Sequence, residues 1–184
     1  VVLMTASLAR LLRQSISNED EVVPLAREVE YAKGYLTIQK MRYKDKLEFE
    51  IDVEPSILNI PLIKLVLQPI IENAIYHGLK YKESKGLLQV KGFMKDGNAV
   101  LQVIDNGVGM DEETLSHIYD KHKVNYHSNG VGVYNVQKRL KLYYGENYGI
   151  TYESEKGVGT TATITIPGIQ EESCLLYTSP SPRD

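Results

Sequence analysis

Residues Leu67 to Gly78 read LQPIIENAIYHG, and the interpretation of the whole chain depends on this segment. Pro61 can open a helix, and Gly78 is a suitable residue to end one near His77. Asn73 and His77 are four residues apart, so they share one face of that helix. An asparagine oxygen suits Mg²⁺, which prefers oxygen ligands and is usually shared with substrate phosphates. Taken alone, a buried or capping asparagine is the commoner explanation.

Apolar periodicity and turn residues predict further elements on both sides of this helix. In chain order they are helices over 2–17 and 24–43, a strand over 46–53, the helix from Pro61, strands over 87–95 and 98–105, a short helix over 111–119, a helix over 131–144, and strands over 148–154 and 160–167. The predicted fold is an α/β sandwich, with a mixed β-sheet covered by helices on one face and preceded by a helical segment.

The helix that follows Pro24 carries an apolar stripe with nearly heptad spacing. The stripe consists of Leu25, Val29, Ala32, Leu36 and Gln39. Two interpretations stay open at this point. The helix packs on its own domain, or it forms part of a dimerising helical bundle.

A second motif, DNGVGM at 105–110, directly follows a predicted strand. A carboxylate at a strand end, here Asp105, can accept a hydrogen bond from an exocyclic amine such as that of adenine. Gly107 and Gly109 permit backbone angles and close approaches that other residues block. Taken alone, Asp-Asn-Gly is an ordinary turn signal.

Two more glycine pairs follow. In NGVGVYNVQKRL at 129–140, Gly130 and Gly132 open a helix, whose free N–H groups form a natural phosphate site. In KGVGTTATITIP at 156–167, Gly157 and Gly159 precede a threonine-rich strand. Each pair has a plain structural explanation as well, since helix starts tolerate glycine and a hairpin turn requires it.

Composition narrows the function classes. The 184 residues carry a net charge of −3 with acids and bases mixed, which argues against nucleic acid as the partner. The lone Cys174 cannot form an internal disulfide, which favours a reducing compartment. The longest apolar run, 57–71, is too short and too polar to span a bilayer, so no membrane contact is expected of this segment. The chain begins without Met inside a predicted helix, so a fragment of a longer protein is expected.

Together the four motifs resemble the N, G1, G2 and G3 boxes of the GHKL ATPase superfamily, which includes histidine kinases, gyrase B, Hsp90 and MutL. The residues of these motifs are similar to those of the LytS/YesM-type branch of sensor histidine kinases, over about residues 3–167. The resemblance implies the Bergerat fold and three regions. Residues 1–44 would be the C-terminal part of a dimerisation and phosphoacceptor region, 45–168 the ATP-binding catalytic domain, and 169–184 a disordered or non-native tail.

The resemblance also implies roles for individual residues and the cofactors ATP and Mg²⁺. Asn73 matches the magnesium-binding asparagine, and Asp105 matches the aspartate that reads the adenine amino group. The other matched positions are His77 near the phosphates, Gly107 and Gly109 in the adenine pocket with Met110 at its border, Gly130 and Gly132 at the phosphates, and Gly159 with Thr160 in the last box. Residues 111–129 would form the lid over ATP.

The chain departs from the superfamily pattern at two positions. Hydrolytic members place a water-activating glutamate where this chain has Pro69, which favours transfer to a protein side chain over hydrolysis. Many histidine kinases have a lysine where this chain has Tyr76, and Lys80, Lys121, Lys123 or Lys138 are the alternatives. Glu72 has either a catalytic role or a structural one, as a salt bridge or cap.

The expected function is transfer of the ATP γ-phosphoryl group to a histidine on a helical domain of the same parent protein, and then to a response regulator. None of the histidines has the acceptor context H-F-x-x-N; they are His77, His117, His122 and His127. We expect this chain to be a cytoplasmic module. We expect its parent protein to be a homodimer, which is compatible with an inner-membrane sensor. The alternatives are a non-catalytic nucleotide-binding or dimerisation module, and an ATPase of the gyrase, Hsp90 or MutL kind.

Overall fold

The computed structural model describes residues 21–118 and 130–168 and contains two sheets. The main sheet has the strand order β2-β4-β5-β7-β6, formed by Leu47–Val53, Gly86–Lys95, Asn98–Asp105, Gly159–Pro167 and Gly149–Glu155. β2 runs parallel to β4, and the other neighbours are antiparallel. A small antiparallel pair joins β1, Val22–Pro24, to β3, Pro61–Ile63. The predicted helix over 2–17, the polar segment 121–129 and the predicted tail lie outside the described residues.

The strands follow the predicted alternation of side chains. In β2, Glu48, Glu50 and Asp52 are exposed between more buried apolar residues. β4 and β5 form a hairpin whose turn residues, Asp96 and Gly97, have φ of 50° and 77°. Such left-handed angles suit a two-residue hairpin, as the Asp-Gly pair predicts. This register brings the last residue of β5 opposite Thr160 of β7.

Helices cover one face of the main sheet, so the predicted sandwich is confirmed. They are α1, Leu25–Tyr43; α2, Leu67–Asn73, which continues as a π-helix over Ala74–Leu79; α3, Glu112–Ser116; and α4, Gly130–Tyr144. The buried side chains of α1, α2 with its π-helical end, and α4 form one core with inward-facing residues of the sheet, including Leu88, Leu101 and Ile164. None of the helices within these described ranges is long and apolar enough to cross a membrane.

The apolar stripe of α1 packs on this core. Leu25, Ala32, Leu36 and Gln39 are buried, and Val29 is partly buried against them. The stripe therefore packs within the helix's own domain, which is the first of the two interpretations. The assignment of residues 1–44 to a dimerisation region stays a prediction.

The expected boundaries of the central helix are wrong at both ends. Pro61 opens no helix, because residues 61–63 pair with β1 as an edge strand, a place that tolerates proline. α2 begins only at Leu67, after Leu65 with a left-handed φ of 61°. At the other end Gly78 does not stop the helix. The N–H of Lys80 instead bonds to the carbonyl of Ile75 at 2.8 Å, the wider spacing of a π-helix.

Candidate functional site

A cavity of about 540 Å³ lies between α2, the strands β5 and β7, and α3. Six of the residues predicted for the site line it together: Asn73, His77, Asp105, Gly109, Met110 and Thr160. The other lining residues include the apolar side chains of Ile70, Val103 and Ala162. A concave, mainly apolar cavity with a few convergent polar groups is typical of a small-molecule site.

Asp105 is the buried acidic group of this cavity, only 6% exposed. Its Oδ1 accepts the N–H of Gly107 at 2.8 Å, and the backbone of Thr160 also donates to the carboxyl group. Burial raises the pKa of Asp105 to about 6, although these bonds and the charge of Lys82 act in the opposite direction. A buried carboxyl group with unused acceptor capacity is suited to bind an amine or amide N–H of a ligand.

Two backbone segments meet beside Asp105, and glycine is required on both. A Cβ on Gly107 would collide with the backbone of Gly78 on the π-helical end of α2. The N–H of Val108 donates to the carbonyl of Gly78 at 3.1 Å, which joins the two segments. The predicted close approach at Gly107 is therefore present, and Gly78 is its partner.

Gly109 needs its glycine for a different reason. Its φ is 63°, and a Cβ there would collide with the carbonyl oxygen of Glu155 in the β6–β7 hairpin. The N–H of the next residue, Met110, donates to the Ser154 hydroxyl at 2.8 Å. Ser154 also bonds to the Thr160 hydroxyl at 2.8 Å. The segment that leads from β5 into α3 is thus held to β6 and β7 at the cavity edge.

Asn73 lines this cavity and carries a buried amide oxygen. Its Oδ1 is buried and has no hydrogen-bond partner in the described part of the chain. A buried acceptor normally has a partner, so an orphaned one calls for a ligand. An amide oxygen is a proper ligand for Mg²⁺, and a site with one protein ligand leaves the remaining positions to phosphates and water. Among the described residues, no cluster of three or more His, Cys, Asp or Glu side chains could hold a metal ion. A metal at Asn73 would therefore need phosphates and water as its other ligands.

His77 lines the cavity but does not act as a fixed cation. Partial burial, and secondarily the charge of Lys80, lower the pKa of His77 below its usual value. The imidazole is therefore mainly neutral near pH 7, and it can donate or accept a hydrogen bond. The positive charge in this part of the site comes instead from lysine, and Lys80 is close enough to affect His77.

Glu72 and Tyr76 face away from the cavity lining. Glu72 Oε1 accepts a hydrogen bond from Gln68 at 3.0 Å. Burial raises the pKa of Tyr35 on α1, and the nearby charge of Glu72 acts in the same direction. The Tyr76 hydroxyl lies 3.5 Å from a guanidinium nitrogen of Arg42. These contacts favour the structural interpretation of Glu72, and they place the Tyr76 hydroxyl beside α1.

The remaining predicted glycines lie at the starts of α4 and β7. Gly130 and Gly132 are in the first turn of α4, and a Cβ on Gly132 would lie 3.4 Å from Cβ of Pro69 on α2. Gly159 begins β7 with a φ of 146°, and a Cβ there would collide with the carbonyl oxygen of Asp105.

Two supporting residues were not predicted from the sequence. Ser154 is one, and Asn106 is the other: Oδ1 of Asn106 accepts the N–H of Leu87 at 2.8 Å, and its carbonyl accepts from Lys82. Asparagine in a turn often bonds nearby backbone, but its partner is 19 residues away along the chain. A serine inside a strand gives no signal that it supports a site.

The chain belongs to the family of histidine kinase-, DNA gyrase B-, and HSP90-like ATPases, whose model matches residues 59–170. A second model, described as histidine kinase, matches residues 1–47. The resemblance stated from the sequence motifs is thereby confirmed.

Among its relatives, sensor histidine kinase YesM of Bacillus subtilis is 33% identical over 164 residues, which are 89% of this chain and 27% of that protein. Sensor protein LytS of Oceanobacillus iheyensis is 34% identical over 143 residues, 76% of this chain and 24% of that protein. This chain therefore spans only about a quarter of the length of these relatives.

Solved structures show the same fold. The histidine kinase domain of the Erythrobacter litoralis EL346 blue-light activated histidine kinase has a TM-score of 0.58 and 17% identity, covering 90% of this chain and 73% of that chain. The catalytic domain of histidine kinase ThkA has a TM-score of 0.62 and 14% identity, covering 81% and 99%.

Proposed function

We propose that this chain is the ATP-binding kinase module of a two-component sensor histidine kinase. In this proposal it transfers the γ-phosphoryl group of ATP to a histidine outside the chain, and a response regulator receives the group next. One observation carries the proposal: Asn73, whose buried Oδ1 has no hydrogen-bond partner among the described residues, lines the same cavity as the buried Asp105. The names of the relatives, sensor histidine kinases among them, agree with it.

Asp105, Asn73 and the start of α4 each have a definite task in this proposal. The carboxyl group of Asp105 accepts the exocyclic amino group of adenine, and the amide oxygen of Asn73 holds Mg²⁺. The backbone N–H groups at the start of α4, around Gly130 and Gly132, bind phosphate oxygens. Bound Mg²⁺ would neutralise the charge that develops on the phosphates. Transfer then depends mainly on positioning, which these fixed groups supply.

The bond changes of the transfer are simple. A ring nitrogen of the acceptor histidine forms a bond to the γ-phosphorus, the bond to the bridging oxygen breaks, and ADP leaves. Pro69 stands where hydrolytic members of the superfamily have a glutamate, and it offers no base to activate water. Transfer to a side chain is therefore favoured over hydrolysis.

The partners in this proposal are a response regulator and the phosphoacceptor helical domain of the same parent protein. The parent works as a homodimer, and this module works in the cytoplasm. Both statements rest on the kinship with sensor histidine kinases.

The fate of labelled phosphate tests the proposed function. The chain is incubated with γ-labelled ATP, Mg²⁺ and a separate polypeptide that contains the upstream helix with an H-F-x-x-N segment. We expect acid-labile label on that polypeptide. Release of free phosphate at a comparable rate would show an ATPase instead, and binding without either product would show a non-catalytic nucleotide-binding module.

A further inference from the structure

A buried carboxyl group outside the cavity stands at the start of the helix that carries Asn73. Glu28 on α1 is only 2% exposed. Its Oε1 accepts the N–H of Leu65 at 2.7 Å, and its Oε2 accepts those of Val66 and Leu67 at 2.9 and 3.1 Å. The first N–H groups of a helix have no partner within the helix. Glu28 therefore caps α2 from a different helix.

The cap depends on the carboxyl oxygens of Glu28 as acceptors. All three bonds are donated to the carboxyl group of Glu28, which favours its ionised form. Burial raises the pKa of Glu28, whereas the three backbone N–H groups and the charge of Arg139 act in the opposite direction. Burying a carboxyl group costs free energy unless such partners compensate it. The bonds to the start of α2 therefore offset the cost of keeping Glu28 in the core.

Helix α4 holds the same segment, 61–67, from another side. The guanidinium of Arg139 donates to the carbonyl of Lys64 at 2.9 Å. The hydroxyl of Tyr144 donates to the carbonyl of Pro61 and accepts the N–H of Ile63, both at 3.2 Å. α4 begins with the glycine pair assigned to the phosphates, so one segment connects to both helices that contribute to the site.

The start of α1 is joined to the chain just before α2 by backbone hydrogen bonds. The N–H of Leu25 donates to the carbonyl of Ile60 at 2.9 Å, and the N–H of Lys64 donates to the carbonyl of Glu21 at 3.0 Å. The start of α1 is therefore linked to the segment before α2 by backbone as well as by Glu28.

The distance from the cap to the metal ligand is short. Asn73 lies six residues after Leu67 on one helix, about 9 Å along its axis at 1.5 Å per residue. Leu65 holds a left-handed φ of 61°, which a residue with a side chain keeps only when its surroundings enforce it. The bond from its N–H to Glu28 is one such restraint.

We propose that Glu28 is a positioning residue for the magnesium-binding side of the nucleotide site. Through its three bonds it fixes the start of α2, and with it the place of the Asn73 oxygen relative to Asp105. The inference rests on the proposed function, since it presumes that Asn73 holds Mg²⁺. In this inference α1, through Glu28, positions the metal ligand Asn73.

The test compares ATP affinity in Mg²⁺ and in EDTA for four chains: wild type, Glu28→Gln, Arg139→Gln and the control Glu30→Gln. In Glu28→Gln the amide offers one acceptor oxygen and two N–H donors, so at least one backbone N–H of the segment loses its acceptor. Glu30 undergoes the same chemical change at an exposed position of the same helix. Calorimetry is done at a temperature at which circular dichroism shows each chain to be folded.

We expect Glu28→Gln to lower the ratio of the affinity in Mg²⁺ to that in EDTA by about tenfold, the scale known for residues that orient metal ligands. The affinity in EDTA, which reflects the adenine contacts and the direct phosphate contacts, should stay unchanged, and so should both affinities in Glu30→Gln. A purely structural role would change both affinities alike or neither.

If the folded Glu28→Gln chain keeps the full Mg²⁺ effect of the wild type, this inference is overturned and the proposed function is not. Should Glu28→Gln fail to fold, Arg139→Gln decides in the same way, because it releases the same segment from α4. Absence of any Mg²⁺ effect in the wild-type chain would overturn the proposed function, and the inference with it.

Discussion

A methyl group added to Gly78 would lie 2.7 Å from Oδ1 of Asp105, closer than Cβ atoms approach other atoms in proteins. The π-helical end of α2 and the acidic end of β5 are therefore in direct contact. Because the same helix carries Asn73, the two polar groups assigned to magnesium and to adenine are fixed relative to each other by backbone.

Gly78→Ala should disturb the site without touching a ligand-binding side chain. The added methyl group displaces the Asp105 carboxyl group, so we expect ATP affinity to fall by about tenfold or more, as for the loss of a hydrogen bond to a charged group. Gly34→Ala is the matched control, since the space beside Gly34 on α1 is open. It should keep full affinity and gain about 0.5–1 kcal/mol of stability. Equal affinities in the two variants, measured by calorimetry, would contradict the contact as described.

Asp105→Asn should weaken binding of adenine nucleotides. The change replaces a charged acceptor by an amide, and the lost bond is worth roughly 1.5–3 kcal/mol. Asp52→Asn, on the exposed side of β2, is the control and should bind ATP like the wild type. Unchanged ATP affinity in Asp105→Asn would remove Asp105 from the adenine site.

The same residue should make binding depend on pH. Burial raises the pKa of Asp105 to about 6, so in the wild type the acceptor becomes protonated as the pH falls through that value. Protonation of the phosphates affects both chains alike. The difference in ATP affinity between wild type and Asp105→Asn should therefore shrink between pH 7 and pH 5. A difference that is constant over this range would contradict the assignment.

Stability of the nucleotide-free chain should show the opposite trend. A carboxyl group whose pKa is higher in the folded chain than in the unfolded one stabilises the fold below its ordinary pKa, and this contribution is lost as the pH rises through the folded value. Denaturant titrations should show Asp105→Asn gaining stability relative to the wild type as the pH rises from about 4 through about 6. A relative gain as the pH falls would mean that Asp105 is stabilised in its ionised form.

The isolated chain should bind ATP without phosphorylating itself. His77 lies four residues from Asn73 on the same helix, so it cannot swing to an in-line position while Asn73 holds the metal. His122 and His127 lie outside the described residues, and no acceptor context surrounds them in the sequence. Incubation with γ-labelled ATP should leave no acid-labile label on this chain. Label that persists in Asn73→Ala would refute both the acceptor argument and the metal assignment.

Local signals in the sequence were sufficient for the strands of the main sheet. Alternating side chains predict β2, and the Asp-Gly turn predicts the β4–β5 hairpin, because both depend on neighbours in the chain. The position of Asp105 at a strand end follows from the same pattern. The resemblance of the four boxes then supplied the proposed roles, which periodicity alone does not give.

Features that depend on distant partners were beyond such reasoning. β1 and β3 have three residues each, and their pairing joins positions about 40 residues apart. The cap from Glu28 reaches Leu65, 37 residues away. A sign of it does exist in the sequence, since Glu28 interrupts the buried face of α1 between Leu25 and Ala32. A charge at a core position requires partners, but the sequence does not name them.

Dependence of ATP binding on Mg²⁺ tests most directly whether the orphaned oxygen of Asn73 is the metal ligand. Calorimetric titrations with ATP are run in Mg²⁺ and in EDTA on the wild type, Asn73→Ala and the exposed control Asn59→Ala. We expect tighter binding in Mg²⁺ than in EDTA for the wild type and the control, and equal, weaker binding in both conditions for Asn73→Ala. An Asn73→Ala chain that keeps the full Mg²⁺ effect would contradict the assignment on which the proposed function rests.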